Sequence, residues 1–94
     1  MNTKLSNNDW VWVVIQNPGG NEEILGQQEE GGVSFIPMFK EKDHVLMSLN
    51  FMARDKKKKY EAQAVIFSDL KQEAESSGFV LYLLDNEGRV IDKY

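Results

Sequence analysis

The chain has 94 residues, and 11 Lys plus Arg against 15 Asp plus Glu give a formal net charge of -4 at pH 7. This length suits one domain, and 41% hydrophobic residues supply a modest core, which excludes a disordered chain. The absence of cysteine excludes disulfides, zinc-thiolate sites and thiol catalysis. No apolar run approaches the roughly 20 residues that span a bilayer, and Met1–Asp9 lacks the apolar core of a signal peptide. We therefore expect a small, soluble, cytoplasmic protein.

Three strands are predicted in the first part of the chain. Trp10–Ile15 is apolar on both alternating faces, as expected for a strand in the middle of a sheet that is covered on both sides. Asn17–Asn21 contains one Pro and two Gly and predicts a tight turn. It leads to Glu22–Gln28, which is interpreted as a short edge strand or a partly irregular arm. Val33–Ile36 is the third strand, and Pro37 is expected to end it because proline has no N–H to donate.

A first helix is predicted from about Lys40 to near Arg54, where the apolar residues recur with a period of 3.6. The residues expected to face the core are Val45, Leu46, Leu49, Met52 and Ala53. Met47 and Phe51 lie on the opposite face, one turn apart, and predict an exposed contact surface for a protein partner or a second copy. The alternatives are that the N-terminal segment or a loop covers this pair, or that the pair only stabilises the helix.

A fourth strand and a second helix follow. Tyr60–Phe67 alternates as a strand, and Ser68 or Asp69 is expected to cap the helix that comes after it. Gly78 suits the left-handed position that ends a helix. The apolar stripe of this helix is narrow and consists of Leu70 and Ala74.

The chain is predicted to end in a hairpin. Phe79–Leu84 is a nearly continuous apolar strand, and Asn86–Gly88 turns the chain into a last strand from Arg89 to about Asp92. The order β-β-β-α-β-α-β-β predicts an α+β fold with an α/β-like core, in which two helices pack on one mixed sheet with hairpins at both ends. Residues 1–9 are expected to be a flexible segment, and residues 10–94 a single domain.

The charge is unevenly distributed along the chain, because residues 1–39 sum to -4, residues 40–60 to +4 and residues 61–94 to -4. Five cations follow the first helix and form a basic segment: Arg54, Lys56, Lys57, Lys58 and Lys59. This basic segment predicts weak binding of an anionic ligand, a nucleic acid or an anionic lipid. The alternative is a solvated loop, which the acidic remainder of the chain and the lack of interleaved aromatic residues favour over nucleic-acid binding.

Few residue types suit catalysis. Asp85 or Asp92 with Tyr82 or Tyr94 would be the groups of a small carboxylate-dependent enzyme, but no arrangement of nucleophile, base and orienting group is recognisable. His44 is the single histidine, and without cysteine it does not predict a transition-metal site. We therefore predict no catalytic residues, no cofactor and no metal.

Two segments of the chain share a pattern of strands, helices and turns with a known family. The first is Val33–Phe39, a strand that leads through Pro-x-Phe into a helix. The second is Val65–Leu70 with Ala74, which leads into the Gly-led strand Gly78–Leu81 and the turn Asp85–Gly88. Together these segments resemble the SseB-type N-terminal domain, a family associated with enhanced serine sensitivity. The resemblance covers residues 33–88 and implies a compact α+β domain, usually bacterial, with no established reaction or catalytic motif. The opening Trp10–Ile15 strand departs from that pattern.

The leading hypothesis is therefore a non-enzymatic module of unknown specific role that acts by protein–protein contact or self-association through Met47 and Phe51. Binding of an anionic ligand through residues 54–59 is the alternative. A small carboxylate-dependent enzyme is the third hypothesis.

Overall fold

The computed structural model describes residues 5–50, 52, 55 and 57–94. The strands in this part are β1 Trp10–Gln16, β2 Glu23–Ile24, β3 Gln27–Gln28, β4 Ser34–Met38, β5 Tyr60–Ile66, β6 Val80–Leu84 and β7 Val90–Lys93. The helices are α1 Lys42–Ser48 and α2 Phe67–Ser77. The predicted α+β class is confirmed. The elements follow the predicted order, except that the predicted second strand consists of the two short strands β2 and β3.

Within the described residues, the strands form two sheets that are connected by one bridge, whereas a single mixed sheet is predicted from the sequence. One sheet has the order β2-β1-β5 and is antiparallel. The other has the order β3-β4-β6-β7 and is mixed, since β4 and β6 are parallel. An antiparallel bridge between Trp12 and Phe39 connects them, with N–H to carbonyl distances of 2.7 and 2.9 Å. Farther along the same edge of β1, Leu25 donates to the Val14 carbonyl and β2 pairs with β1. Phe39, the residue after β4, is therefore the point at which the second sheet bonds this edge.

β4 continues through Pro37, so the prediction that Pro37 ends this strand is wrong. Phe39 directs its N–H and carbonyl toward Trp12, on the side away from β6. Backbone N–H and carbonyl groups alternate in direction from one residue of a strand to the next, so the nitrogen of Pro37, two residues earlier, points to that same side. β3 pairs only as far as Phe35. The missing N–H therefore lies at the gap between the two sheets and costs no hydrogen bond to β6.

β1 is apolar on both faces because a helix covers each face. Val11, Val13 and Ile15 belong to the cluster that contains Leu70 of α2. Val14 belongs to the second cluster, which contains Val45 of α1 and, at its margin, Trp12. This arrangement confirms the predicted middle position of β1 in a sheet.

α1 ends at Ser48, earlier than predicted, and it buries a narrower face. Val45 and Ser48 are its buried residues, whereas Leu46 is 50% exposed, so the prediction that Leu46 faces the core is wrong. Leu49 and Met52 lie beyond the helix and still pack against the cluster around Val45. Leu49 is the C-cap of α1, and the helix does not continue beyond it, so the predicted stripe is only partly realised. Ala53 is not among the described residues.

α2 begins at Phe67, before the predicted caps Ser68 and Asp69. Its first two N–H groups are bound by the N-terminal segment: Phe67 donates to the Asp9 carbonyl at 2.8 Å, and Ser68 to the Asn7 carbonyl at 3.0 Å. Residues 5–9 belong to the segment expected to be flexible, and the carbonyls of Asn7 and Asp9 cap α2. Because backbone carbonyls satisfy these donors, no side-chain cap is needed.

The other end of α2 agrees with the prediction. Gly78 has a φ of 78°, and the N–H of Phe79 donates to the Ala74 carbonyl at 2.8 Å. The N–H of Gly78 donates to the Glu75 carbonyl at 3.3 Å, which completes a Schellman motif. This motif directs Phe79 toward β6 and places its ring beside β2.

Candidate functional site

A groove runs beside β2 and α2. It consists of three adjoining depressions of about 540, 230 and 570 Å³, and Ile24 lines all three. Val65 and Glu73 are shared by the first two, and Phe79 by the first and third. We name this continuous surface the β2 groove.

The floor of the β2 groove is apolar. Ile24, Val65 and Phe79 are half-buried there. Ile15 and Ile36, which are only 6% and 5% exposed, complete the floor. An apolar side chain that binds in the groove is therefore removed from water without burying polar groups of the groove floor.

The rim of the β2 groove is acidic. The charged side chains that line its three depressions are all carboxylates: Glu22, Glu23, Asp69 and Glu73. Glutamine side chains add neutral donors and acceptors: Gln16, Gln27, Gln28 and Gln63. Exposed carboxylates attract cations in a salt-dependent way, so the groove combines an apolar floor with selectivity for positive charge.

The β2 groove exists because the chain passes from one sheet to the other between β2 and β3. Leu25 is buried and its N–H donates to the Val14 carbonyl at 2.8 Å, which holds this crossing against β1. Gly26 follows, and a Cβ at this position would lie only 2.5 Å from Cε2 of Phe79. The absence of a side chain thus lets the Phe79 ring cover the crossing and form part of the groove floor.

The predicted contact surface on the first helix is described in part. Met47 is 52% exposed, as predicted, and its neighbour Leu46 is also exposed. Phe51 lies outside the described residues. α1 packs over β1 and β5, on the face of β1 opposite α2, so Met47 and Leu46 are not part of the β2 groove.

The basic segment is also described in part. Lys57, Lys58 and Lys59 are exposed, whereas Arg54 and Lys56 lie outside the described residues. The ion pairs found in the described part of the chain involve none of these three lysines. They therefore present three cations at the start of β5.

Tyr82 does not share a site with Asp85 or Asp92. It is buried, stacks on Phe35 with ring centroids 4.5 Å apart, and donates its hydroxyl to Oε2 of Glu29 at 2.9 Å. Burial, together with the carboxylate of Glu29, raises the pKa of the Tyr82 hydroxyl. The Tyr82 hydroxyl is therefore less acidic than that of an exposed tyrosine, and the Tyr82 ring packs against Phe35.

The remaining groups considered for carboxylate chemistry hold the terminal hairpin. Oδ1 of Asp85 accepts hydrogen bonds from the N–H groups of Arg89 and Glu87 at 2.9 and 2.8 Å. These bonds, that from Arg89 above all, lower the pKa of the Asp85 carboxyl. The Tyr94 hydroxyl lies 3.4 Å from Oδ2 of Asp92. Asp85 therefore holds the turn of the hairpin, and Asp92 lies beside Tyr94 at its end.

His44 has one ring nitrogen near a carboxylate and one that is buried. Its Nε2 lies 3.3 Å from Oε2 of Glu41, and its Nδ1 has no hydrogen-bond partner among the described residues. Within the same residues, no group of three or more His, Cys, Asp or Glu is placed to hold a metal ion. None of the described helices is long and apolar enough to cross a bilayer.

Comparison of the chain with protein-family models, curated proteins and solved structures finds no match. The resemblance of residues 33–88 to the SseB-type domain therefore stays a prediction. The contact role of Met47 with Phe51 and the anion binding of the basic segment also stay predictions.

The sequence reasoning missed the β2 groove. Its lining residues Ile24, Val65 and Glu73 come from three distant segments, and no spacing along the chain indicates that they meet. One local signal is present, since Ile24 follows two glutamates in an arm that is otherwise poor in apolar residues. An apolar residue beside paired acids on a short strand marks the centre of the groove.

Proposed function

We propose that this chain is a small, non-enzymatic protein-interaction module that binds a segment of a partner protein in the β2 groove. The proposal rests on one observation. The β2 groove has a continuous apolar floor centred on Ile24, and the charged side chains at its rim are all carboxylates. The segment that fits has a large apolar side chain next to Lys or Arg. We also propose a cytoplasmic location, which a cysteine-free composition permits.

The two features of the β2 groove have separate roles in binding. Burial of one large apolar side chain against Ile24, Val65 and Phe79 contributes about 1.5 to 3 kcal/mol. An exposed pair between a rim carboxylate and a cation contributes about 0.2 to 1 kcal/mol and is screened by salt. The floor therefore supplies most of the affinity, and the rim selects cationic over anionic segments.

Binding of an anionic ligand at Lys57–Lys59 is the second candidate function. It is supported by three consecutive exposed lysines that make no ion pair within the described part of the chain. A ligand held there is anionic and binds more weakly as salt is raised. This candidate differs from the first in the sign of the ligand's charge.

Selection from a library of short random peptides tests both candidates. We expect the wild type to enrich peptides that carry an apolar residue beside Lys or Arg. Glu73→Lys should weaken their binding about threefold to tenfold, because one attraction becomes a repulsion. Glu75→Lys is the matched control, since Glu75 is also exposed on α2 but does not line the groove; we expect it to change binding less than twofold by the same estimate of exposed pairs.

The outcome identifies the site. Enrichment of acidic peptides, with loss of binding in Lys58→Glu, would assign the function to the basic segment and overturn the groove proposal. Equal weakening by Glu73→Lys and Glu75→Lys would show that net charge alone, rather than the groove, attracts the peptide. Circular dichroism of each variant establishes that the fold is retained.

A further inference from the structure

One edge of the antiparallel sheet is formed by the long strand β5, and no other strand of the described residues pairs with it. The N–H of Asn17 donates to the Lys59 carbonyl at 3.0 Å, and in the same register Val13 lies opposite Gln63. The odd-numbered residues of β5 are therefore the ones that hydrogen-bond β1. Ala62 and Ala64 therefore direct their N–H and carbonyl groups away from β1. No described residue hydrogen-bonds this side of Ala62 or Ala64.

The other sheet edges in the described part of the chain are protected from strand pairing. β2 and β3 have only two residues each. β7 has four residues and an irregular register opposite Leu83 and Leu84, and its Lys93 N–H is bound by Oδ1 of Asp92. β5 has seven residues in unbroken register with β1, contains no proline, and carries Glu61 as its one charged residue.

We infer that two copies of this chain pair antiparallel through their β5 edges, around a twofold axis at Gln63. In this register Ala62 of one copy lies opposite Ala64 of the other, and these alanines exchange about four hydrogen bonds. Each three-stranded sheet becomes half of a continuous antiparallel sheet. The small side chains of Ala62 and Ala64 allow the backbones to approach, and this register places the whole length of β5 opposite β5 of the second copy.

The charges at the two ends of β5 favour a second copy of the chain as the partner strand. Lys57, Lys58 and Lys59 lie before the strand, whereas Asp69 lies in the first turn of α2, directly after the strand ends. Antiparallel pairing brings the lysines of each copy near Asp69 of the other. A parallel arrangement would place lysines beside lysines, so the distribution of charge favours a second copy in the antiparallel direction.

A cysteine placed at the axis tests the register. Gln63 would face Gln63 of the second copy in a pair that shares no hydrogen bonds, with Cα atoms about 4.5 Å apart, which is within disulfide range. The chain has no other cysteine. Under mild oxidation, Gln63→Cys should form a disulfide-linked dimer at least tenfold faster than Glu61→Cys, whose two copies would lie about 14 Å apart along the strand. Both positions are exposed on the same face of β5, so the control is matched.

Sedimentation velocity over a concentration series provides the second readout. We expect the wild type to reach the dimer, more readily at low salt than at high salt, and Gln63→Lys to weaken association about twofold to fivefold because like charges meet at the axis. Equal cross-linking of Gln63→Cys and Glu61→Cys, or a wild type that stays monomeric at every concentration, would overturn the inference. Glu73→Lys should still dimerise, so failure of the groove proposal and failure of this one are distinguishable.

Discussion

Asp85 fixes the turn between β6 and β7 with its side chain and its backbone. Its Oδ1 accepts hydrogen bonds from the N–H groups of Glu87 and Arg89, and its own N–H donates to the Arg89 carbonyl at 2.9 Å. An ionised carboxylate is the better acceptor, which is why these contacts lower the pKa of Asp85. The stability of the hairpin is therefore linked to the ionised state of one residue.

This linkage predicts a specific sensitivity to acid. The contribution of Asp85 is fully present above the pKa of the unfolded carboxyl, 3.8, and is lost as pH falls through the lower pKa of the folded state. We expect the free energy of unfolding of the wild type to decrease more between about pH 5 and pH 2 than that of Asp85→Asn, which does not titrate. Urea unfolding at several pH values measures this difference. An equal decrease in both proteins would contradict the role of Asp85.

The crossing between β2 and β3 depends on close contact between Gly26 and the Phe79 ring. A methyl group at Gly26 would meet Cε2 of Phe79 at 2.5 Å, so the half-buried ring must move. We expect Gly26→Ala to lower the free energy of unfolding by about 1 to 3 kcal/mol. Gly20→Ala is the control, because its Cβ would make an ordinary contact of 3.7 Å with the Asn17 carbonyl.

A second substitution separates this contact from a general effect on the backbone. If crowding of the ring is the cause, Phe79→Leu in the Gly26→Ala background should cost less than Phe79→Leu in the wild type. Denaturant unfolding of the two single variants and the double variant gives the coupling energy. Additive effects would show that the Phe79 ring is not what requires glycine here.

Elements with a strong local pattern were predictable, and those decided by distant contacts were not. β1 and β6 are nearly continuous apolar runs, and Gly78 marks the end of α2. By contrast, Pro37 lies within β4 because the partner strands diverge at that position, and α2 starts early because the Asp9 carbonyl binds its first N–H. Neither cause is visible in the residues next to the element.

The same distinction applies to the candidate surfaces. The exposure of Met47 was predictable because it follows from the position of one residue on one helix face. Leu46 was misassigned because α1 ends at Ser48 and buries that serine, which narrows its apolar face. The β2 groove depends on the β1–β2 register and on the path of the chain after α2, so it follows from the fold and from no single segment.

At the scale of the whole molecule, two strands connect the two sides of the core. β6 places Leu83 in the cluster under α2 and Tyr82 in the cluster that contains Val45 of α1. β1 does the same with Val13 and Val14. Neither cluster can lose its packing without disturbing a strand that supports the other. The two sheets should therefore unfold together, although a single bridge joins their strands within the described part of the chain.

Cooperative unfolding can be tested by changing one cluster and observing the other. Leu70 is 1% exposed in the cluster under α2, and Leu70→Ala should lower the free energy of unfolding by about 2 to 5 kcal/mol. Trp12 packs against the opposite cluster, and with exposed Trp10 replaced by Phe it becomes the sole tryptophan. We expect Trp12 fluorescence and far-UV circular dichroism to shift to the same lower urea midpoint. If Leu70→Ala is unfolded, Ala74→Gly provides a milder change in the same cluster. If the Trp12 fluorescence kept its original urea midpoint while the circular dichroism transition moved, the two sides of the core would be independent units.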